Sequence, residues 1–398
     1  MNRKLKVAVL NTQPPHLYFG GVERRIIETS KLLANSVQTT VYSGTKKGFN
    51  KTSEIVGATL VPCFSTDKLY PLDNWFFNRS ISKMVDSIKT DIYEAHTVSG
   101  YKLLKTLKKR KINTPFIHTI HGVLEDEYLQ SSKTVSPSLR MKLSNFFMRH
   151  LAKLENQAAK QATLIVTVSN YSAKKIVQLY EVDETKIRVV PNGVDLQKFK
   201  PSEVSEKVRD MVGGNCEHLV LFVGNLIPRK GLHFLIEAAK DVIKENRDTK
   251  FVVVGDGPLK NHLIQYSKKQ GVSDVFTFLG DVPEHLLPSL YNCADVFASP
   301  SIQEGQGISL LEAQASAKPV VAFNVTAITE VVKNKETGLL VEPQRSQLAD
   351  AILSLLSNKG LRELMGRSGR EFVSNNFSWE ICAQKMLQVY SEVMERTD

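Results

Sequence analysis

Two glutamates stand eight positions apart in Glu304-Gly305-Gln306-Gly307-Ile308-Ser309-Leu310-Leu311-Glu312, with glycines close behind the first. Glycines let a backbone approach a ligand closely, and the segment then enters a helix predicted from Leu310 to Ser316. A helix N-terminus offers free N–H groups and a positive dipole, which suits a diphosphate. Glu304, in the loop before the helix, can reach a sugar. Glu312, about two turns further on, could accept hydrogen bonds from ribose hydroxyls. The plainer alternative is a glycine-bearing loop with two surface glutamates. A second chemistry-bearing segment is Phe222-Val223-Gly224-Asn225-Leu226-Ile227-Pro228-Arg229-Lys230-Gly231. A strand ends there and two adjacent cations follow, where open α/β sheets bind ligands. Arg229 supplies a planar donor fork and Lys230 a compact charge, a pair suited to a diphosphate leaving group. A solvated basic turn is the alternative.

Gly20-Gly21 is half of a dinucleotide fingerprint, and no acid lies at the expected ribose position, so a nicotinamide role is poorly supported. Its alternative is a tight turn with positive φ. His118 and His121 lie in Phe116-Ile117-His118-Thr119-Ile120-His121-Gly122, with His121 at the C-terminal end of a strand, placed to donate a hydrogen bond into a cleft. His96, ending another strand, is a weaker candidate, and a satisfied structural histidine is the alternative for each. No His/Cys/Asp cluster has metal spacing and no Asp-x-Asp triplet occurs, so no metal is expected and the Arg229–Lys230 pair must neutralise the leaving group.

The elements that must position these residues repeat one unit: strand, glycine-rich turn, helix. Apolar runs at Lys6–Leu10, Gln38–Tyr42, Asp91–Ala95, Phe116–Thr119, Leu164–Val168 and Ile187–Val190 suit buried parallel strands. Leu219–Val223, Phe251–Val254, Val275–Leu279, Val296–Ala298, Val320–Ala322 and Leu339–Val341 repeat the pattern, with helices between. The alternation predicts an α/β class with two doubly wound Rossmann-like sheets. The boundary is expected near Phe199, giving domains 1–198 and 199–378, followed by an amphipathic helix at 379–398.

At 398 residues, two cores are the default. No apolar run is long enough to span a membrane, and Val7 to Leu10 is too short for a signal-peptide core. Cys63, Cys216, Cys293 and Cys382 form no pair spacing, as expected of reduced thiols in a cytoplasmic protein. The net charge of +11 is one-sided: residues 1–200 carry +15 and the remainder −4. That asymmetry implies an anionic partner for the first half, a membrane surface or an acidic substrate. Nucleic acid is disfavoured, since no helix-turn-helix, zinc-finger or RNA-motif signature occurs. Two basic stretches, Tyr101–Lys111 and Ser138–Lys153, are candidates for peripheral contact with an anionic leaflet, or are core-packed helices with solvated basic faces.

Taken together the motifs resemble glycosyltransferase family 4, retaining enzymes of the GT-B fold with two Rossmann-like domains facing across a cleft. The matching pieces are Gly20-Gly21-Val22-Glu23, His118-Thr119-Ile120-His121-Gly122, Val190-Pro191-Asn192-Gly193-Val194-Asp195, Arg229-Lys230-Gly231, Val254-Gly255-Asp256-Gly257-Pro258, Phe278-Leu279-Gly280-Asp281-Val282 and the double-glutamate segment. They run in family order across almost the whole chain.

The resemblance implies that Glu304 lies near the donor sugar and Glu312 on the ribose. Arg229 and Lys230 would clamp the diphosphate, and His121 would contact the sugar. It implies further donor contacts from Gly20, Gly21, Asn225, Gly305, Gln306, Gly307, Ile308 and Ser309, with backbone near Val282 at the base. Gln306 departs from the aromatic residue usual there, and Asn225 from the arginine some members carry. The resemblance also implies that the final helix returns to the first domain. The donor would be a UDP- or GDP-sugar, the acceptor a glycan or lipid-linked sugar, and the enzyme metal-independent. A nucleotide-sugar epimerase of the same fold and a non-catalytic transferase partner are the competing expectations; product analysis separates the first, since an epimerase consumes donor without acceptor. Glu304→Ala and Lys230→Ala are expected to lose turnover at an unchanged thermal midpoint.

Overall fold

The computed structural model describes residues 3–18, 20–67, 72–132, 139–214 and 216–396. The chain divides into two units, 1–192 with 379–398, and 193–378. The division falls short of Phe199 because Val194 bridges Ser378 and packs with Phe199 in the second unit's core.

The first unit holds β1 (Leu5–Asn11), β2 (Val37–Gly44), β3 (Ser53–Ile55), β4 (Ala58–Cys63), β5 (Ile92–His96), β6 (Phe116–Ile120), β7 (Leu164–Thr167) and β8 (Ile187–Val189), all but β3 and β4 on the expected apolar runs. They make one sheet of order β3-β4-β2-β1-β5-β6-β7-β8. All neighbours are parallel except the β3–β4 pair. Every residue of β5 and β6 is buried, as helices covering both faces require. The strand order reverses beside β1, where the chain goes to β2 on one side and β5 lies on the other. Loops leaving β1 and β5 therefore diverge and leave a crevice.

The second unit holds β9 (His218–Val223), β10 (Thr249–Val254), β11 (Phe276–Gly280), β12 (Val296–Ser299), β13 (Val320–Phe323) and β14 (Gly338–Val341). Their order, β11-β10-β9-β12-β13-β14, is parallel throughout and reverses between β9 and β12. This is the six-stranded doubly wound pattern, with its ligand crevice outside the carboxyl ends of those two strands.

The last helix, Trp379–Glu395, belongs to the first unit. Trp379, Met386, Tyr390 and Val393 are buried in one cluster with Val7, Val9, Ile26 and Val41. Each such burial is worth about 1.5–3 kcal/mol before entropy is charged. Glu392 pairs with Arg188 at 2.5 Å. Arg25, only 1% exposed, donates to Val190 O at 2.8 Å, Asn192 Oδ1 at 3.1 Å and Met386 Sδ at 3.1 Å. Its charge is thus buried with partners from the end of the first stretch and from the returning helix, as a buried guanidinium needs.

The two basic stretches differ. In helix Tyr101–Lys109 the apolar residues Leu103, Leu104 and Leu107 lie in the core, so only a charged face remains outside. Helix Leu139–Gln161 instead leaves Leu143 and Phe146 exposed, at 57% and 67%. Ser138 and the side chains of Leu139, Arg140 and Met141 fall outside the described residues. The same helix is anchored by Glu155, fully buried, which accepts from Tyr180 Oη at 2.6 Å and Leu124 N–H at 3.0 Å. Among the described residues no helix is long and apolar enough to cross a membrane.

Candidate functional site

In the second unit the structure brings the two cations and the first glutamate together. Arg229 and Lys230 end a short turn, Pro228–Lys230, directly after β9, and Glu304 lies in the loop after β12. These are the two strands between which the sheet order reverses. Lys230 Nζ is bonded to Glu304 Oε1, and Arg229 Nη1 donates to Glu304 Oε2 at 3.2 Å and to Gln303 O at 3.1 Å. A backbone bond from Ile302 N–H to Arg229 O, 2.9 Å, ties the loops a second time. Close approach at Gly231 is a third tie: φ is +63°, and a Cβ there would stand 2.0 Å from Pro300 O.

Glu304 is buried rather than a surface group, at 5% exposure. Burial pushes its carboxyl up, but Lys230 and Arg229, with hydrogen bonds from Lys230 and Ser301, outweigh burial and hold it below the usual carboxylate range. The cluster sets two cations on one carboxylate. Its cations are braced by Glu304 rather than freely solvated, which rules out the solvated basic turn. Pre-bracing fixes where positive charge stands before any anion arrives, the condition for electrostatic stabilisation without reorganisation.

The helix after the glycines spans Ile308–Ala315, beginning two residues earlier than the sequence suggested. Gly307 caps it at φ +93°, where a Cβ would meet Leu310 Cδ1 at 2.6 Å, so the αL position admits no side chain. No side chain caps this N-terminus, which leaves the Ile308 and Ser309 amides to other acceptors. Glu312, in the helix's second turn, is also buried, and Tyr291 Oη donates to it at 2.7 Å. Gln306 is 4% exposed, Gly305 and Val282 are half-buried, and Asn225 is exposed.

In the first unit, Gly20 precedes helix Gly21–Leu33, which opens beside β1. Its φ is −81°, so the expected alternative of a positive-φ turn is wrong. A Cβ at Gly20 would instead meet Glu23 Oε2 at 2.3 Å. The Glu23 carboxylate folds back over the helix start in the manner of a capping box, and burial raises it despite the bond from Asn11.

The three histidines separate by role. His118 is buried and its Nε2 bonds the Thr97 carbonyl, a structural contact. His121 follows β6 and is half-buried. Its Nε2 lies 2.9 Å from Nδ1 of His96, with ring centroids 5.1 Å apart and planes 27° apart. His96 Nε2 in turn lies 3.4 Å from Glu94 Oε1. Glu94 accepts from Thr119 Oγ1 at 2.9 Å and from Tyr390 Oη, on the returning helix, at 2.5 Å.

Several partners escaped the sequence analysis: Ser301, which donates to Glu304 at 2.9 Å; Thr326, which accepts from the Glu304 amide at 3.1 Å; and Tyr291, Glu94 and Tyr390. The Ser299-Pro300-Ser301 run just before the double-glutamate segment was a signal for the first; the others are brought in by tertiary folding alone. Among the described residues no group of three His, Cys, Asp or Glu is placed to hold a metal ion.

Two family models match the chain, one described as Glycosyltransferase Family 4 over residues 19–198 and one as Glycosyl transferases group 1 over residues 213–372. An uncharacterized glycosyltransferase of Methanocaldococcus jannaschii is 30% identical over 247 residues, 61% of this chain and 63% of that protein's length. The UDP-Gal:α-D-GlcNAc-diphosphoundecaprenol α-1,3-galactosyltransferase of Escherichia coli is 29% identical over 322 residues, 79% of each chain. Among solved structures, Anabaena HepE in complex with UDP and glucose superposes with a TM-score of 0.75 at 20% identity, over 98% of this chain and all of that one, a likeness of fold.

Proposed function

The chain belongs to glycosyltransferase family 4 and has the GT-B fold, and from that premise we propose that it transfers a hexosyl unit, with retention, from a UDP- or GDP-sugar to a glycan or lipid-linked acceptor in cell-envelope or glycoconjugate synthesis. Family membership supports glycosyl transfer as the reaction class. The Arg229–Lys230–Glu304 cluster carries the donor assignment. It sets two cations, braced by one carboxylate, at the crevice between β9 and β12. The uncapped start of helix Ile308–Ala315 lies on the same loop, where a diphosphate would complete its amides.

Arg229 and Lys230 stabilise the charge that develops on the departing diphosphate, and Glu304 orients them and borders the sugar. No metal is then required for that charge. Glu312 accepts from the ribose and the backbone near Val282 meets the base. The acceptor oxygen enters on the face the diphosphate leaves, and a leaving phosphate oxygen takes its proton. The protein's share is positioning and charge stabilisation.

The acceptor is assigned to the first unit. The E. coli relative's name carries an acceptor linked to diphosphoundecaprenol, and the +15 balance of residues 1–200 suits such an anion. Leu143 and Phe146, exposed among Lys142, Arg149 and Lys153, would seat helix Leu139–Gln161 on an anionic leaflet from the cytoplasmic side. Failure to sediment with anionic vesicles at low salt would remove that attachment. Calorimetric titration with UDP and with GDP, with and without EDTA, tests the donor: EDTA-insensitive binding of one of them is expected, and binding of neither overturns the assignment.

A further inference from the structure

The buried chain Tyr390–Glu94–His96–His121 has a fixed direction. Glu94 Oε2 takes the Tyr390 hydroxyl and Oε1 takes the Thr119 hydroxyl. Both are hydrogen-bond donors, so the carboxylate behaves as the acceptor-only group it is when ionised. His96 Nε2 faces the same Oε1 at 3.4 Å. A lone pair on that nitrogen would oppose the carboxylate, so the proton of His96 sits on Nε2. A neutral imidazole has one N–H, which makes His96 Nδ1 an acceptor. His121 Nε2, 2.9 Å away, must then be the donor of the bond between the rings.

Both rings are held neutral. Burial lowers His96 to about 4, with Arg25 and His118 adding to the shift against the pull of Glu94. Burial, then His96 and Arg25, hold His121 well below 6.5. The one remaining position on His121 is Nδ1, which no described residue of this unit engages.

We propose that Glu94 is a positioning residue: acting through His96, it fixes His121 as the Nε2–H tautomer, so that Nδ1 of His121 carries a lone pair able to accept from a hydroxyl. The sequence alone suggested a histidine that donates; the network makes it one that accepts. The tautomer does not depend on the donor assignment above, and it ties the returning helix to the edge of β6 through the Tyr390 hydroxyl. The arrangement is the protein-only counterpart of a carboxylate that sets the tautomer of a ligating histidine.

The test is long-range proton–nitrogen correlation on the full chain carrying ¹⁵N-histidine, with the His121 signal assigned by its loss in His121→Asn. In the wild type His121 is expected as the Nε2–H tautomer. Glu94→Leu removes the acceptor facing His96 Nε2, so nothing holds the His96 proton there, and His121 is expected to populate the Nδ1–H form. Tyr390→Phe keeps the carboxylate and is expected to keep the Nε2–H form. An Nδ1–H wild type, or a Glu94→Leu protein whose His121 stays wholly Nε2–H, overturns the proposal. If Glu94→Leu does not fold, the wild-type and Tyr390→Phe spectra still decide it: an Nδ1–H form in either overturns the proposal. No sugar nucleotide is needed for these spectra, so their outcome is separate from that of the UDP and GDP titrations.

Discussion

At the scale of single residues, burial changes what each charged group can tolerate. Lys230 and Glu304 share one contact at low exposure, and Arg229 holds the same carboxylate, so the two deletions leave different remainders. Lys230→Ala leaves Arg229 on the carboxylate; Glu304→Ala leaves two cations facing each other. Turnover should fall about 10²–10³-fold in Lys230→Ala, as for loss of one oxyanion donor. Glu304→Ala should lose turnover too, and here the structure revises the expected unchanged thermal midpoint. Breaking a buried pair costs roughly 3–5 kcal/mol, so Glu304→Ala should melt measurably lower than Lys230→Ala; equal midpoints in calorimetry would refute the bracing role.

Glu155 gives a prediction with a pH axis. Burial raises it to about 8, against a weaker opposing effect of its bonds to Tyr180 and Leu124 N–H. The folded state therefore keeps a proton that the unfolded chain loses near pH 4.5. The group's contribution is fullest below that pH and declines as pH rises toward 8, by up to ~1.4 kcal/mol per unit. Glu155→Gln copies the neutral acid. Its melting temperature relative to wild type should climb between pH 5 and 8, and a constant difference would show that Glu155 is ionised in the fold.

At the scale of elements, the loops after β9 and β12 work as one piece. Gly231 packs on the Pro300 carbonyl at φ +63°, so Gly231→Ala introduces both strain and a clash with backbone. A loss of more than about 1 kcal/mol of stability is expected, with nucleotide affinity falling alongside as Arg229 and Lys230 shift; an unchanged melt and titration would mean the loops move independently.

Both sheets were legible because parallel strands covered on two faces read as short apolar runs such as Phe251–Val254. The β3–β4 pair was missed: Ser53–Ile55 is short and largely exposed, and Pro62 interrupts the β4 run. The basic turn and double-glutamate loop were visible as residue types after strands, but their ion pair was not. Sequence spacing does not reveal that β9 and β12, more than seventy residues apart, are neighbours. Likewise the fates of His118 and His121 differ by what β5 and the last helix bring beside them, Thr97 in one case and His96 with Glu94 in the other.

At the scale of the whole molecule, each hydrophobic cluster lies inside one unit, and the first unit draws part of its core from the far end of the chain. Residues 193–378, made alone, should therefore give a cooperative thermal transition and keep whatever nucleotide binding the full chain shows. Residues 1–192 alone should give no such transition, because Val7, Val9, Ile26 and Val41 lose the cover of Trp379, Met386, Tyr390 and Val393. A sharp transition for 1–192 would show that the last helix is an accessory rather than a core element. The same discontinuity sets a clock during synthesis. About 200 residues separate Asn192 from the end of the covering helix. At ~5–20 residues per second the nascent first unit waits roughly 10–40 s on the ribosome with that face unburied, while the second unit emerges and folds. This stretch of translation is when the chain most needs a chaperone, and slow codons after residue 192 would lengthen the exposure.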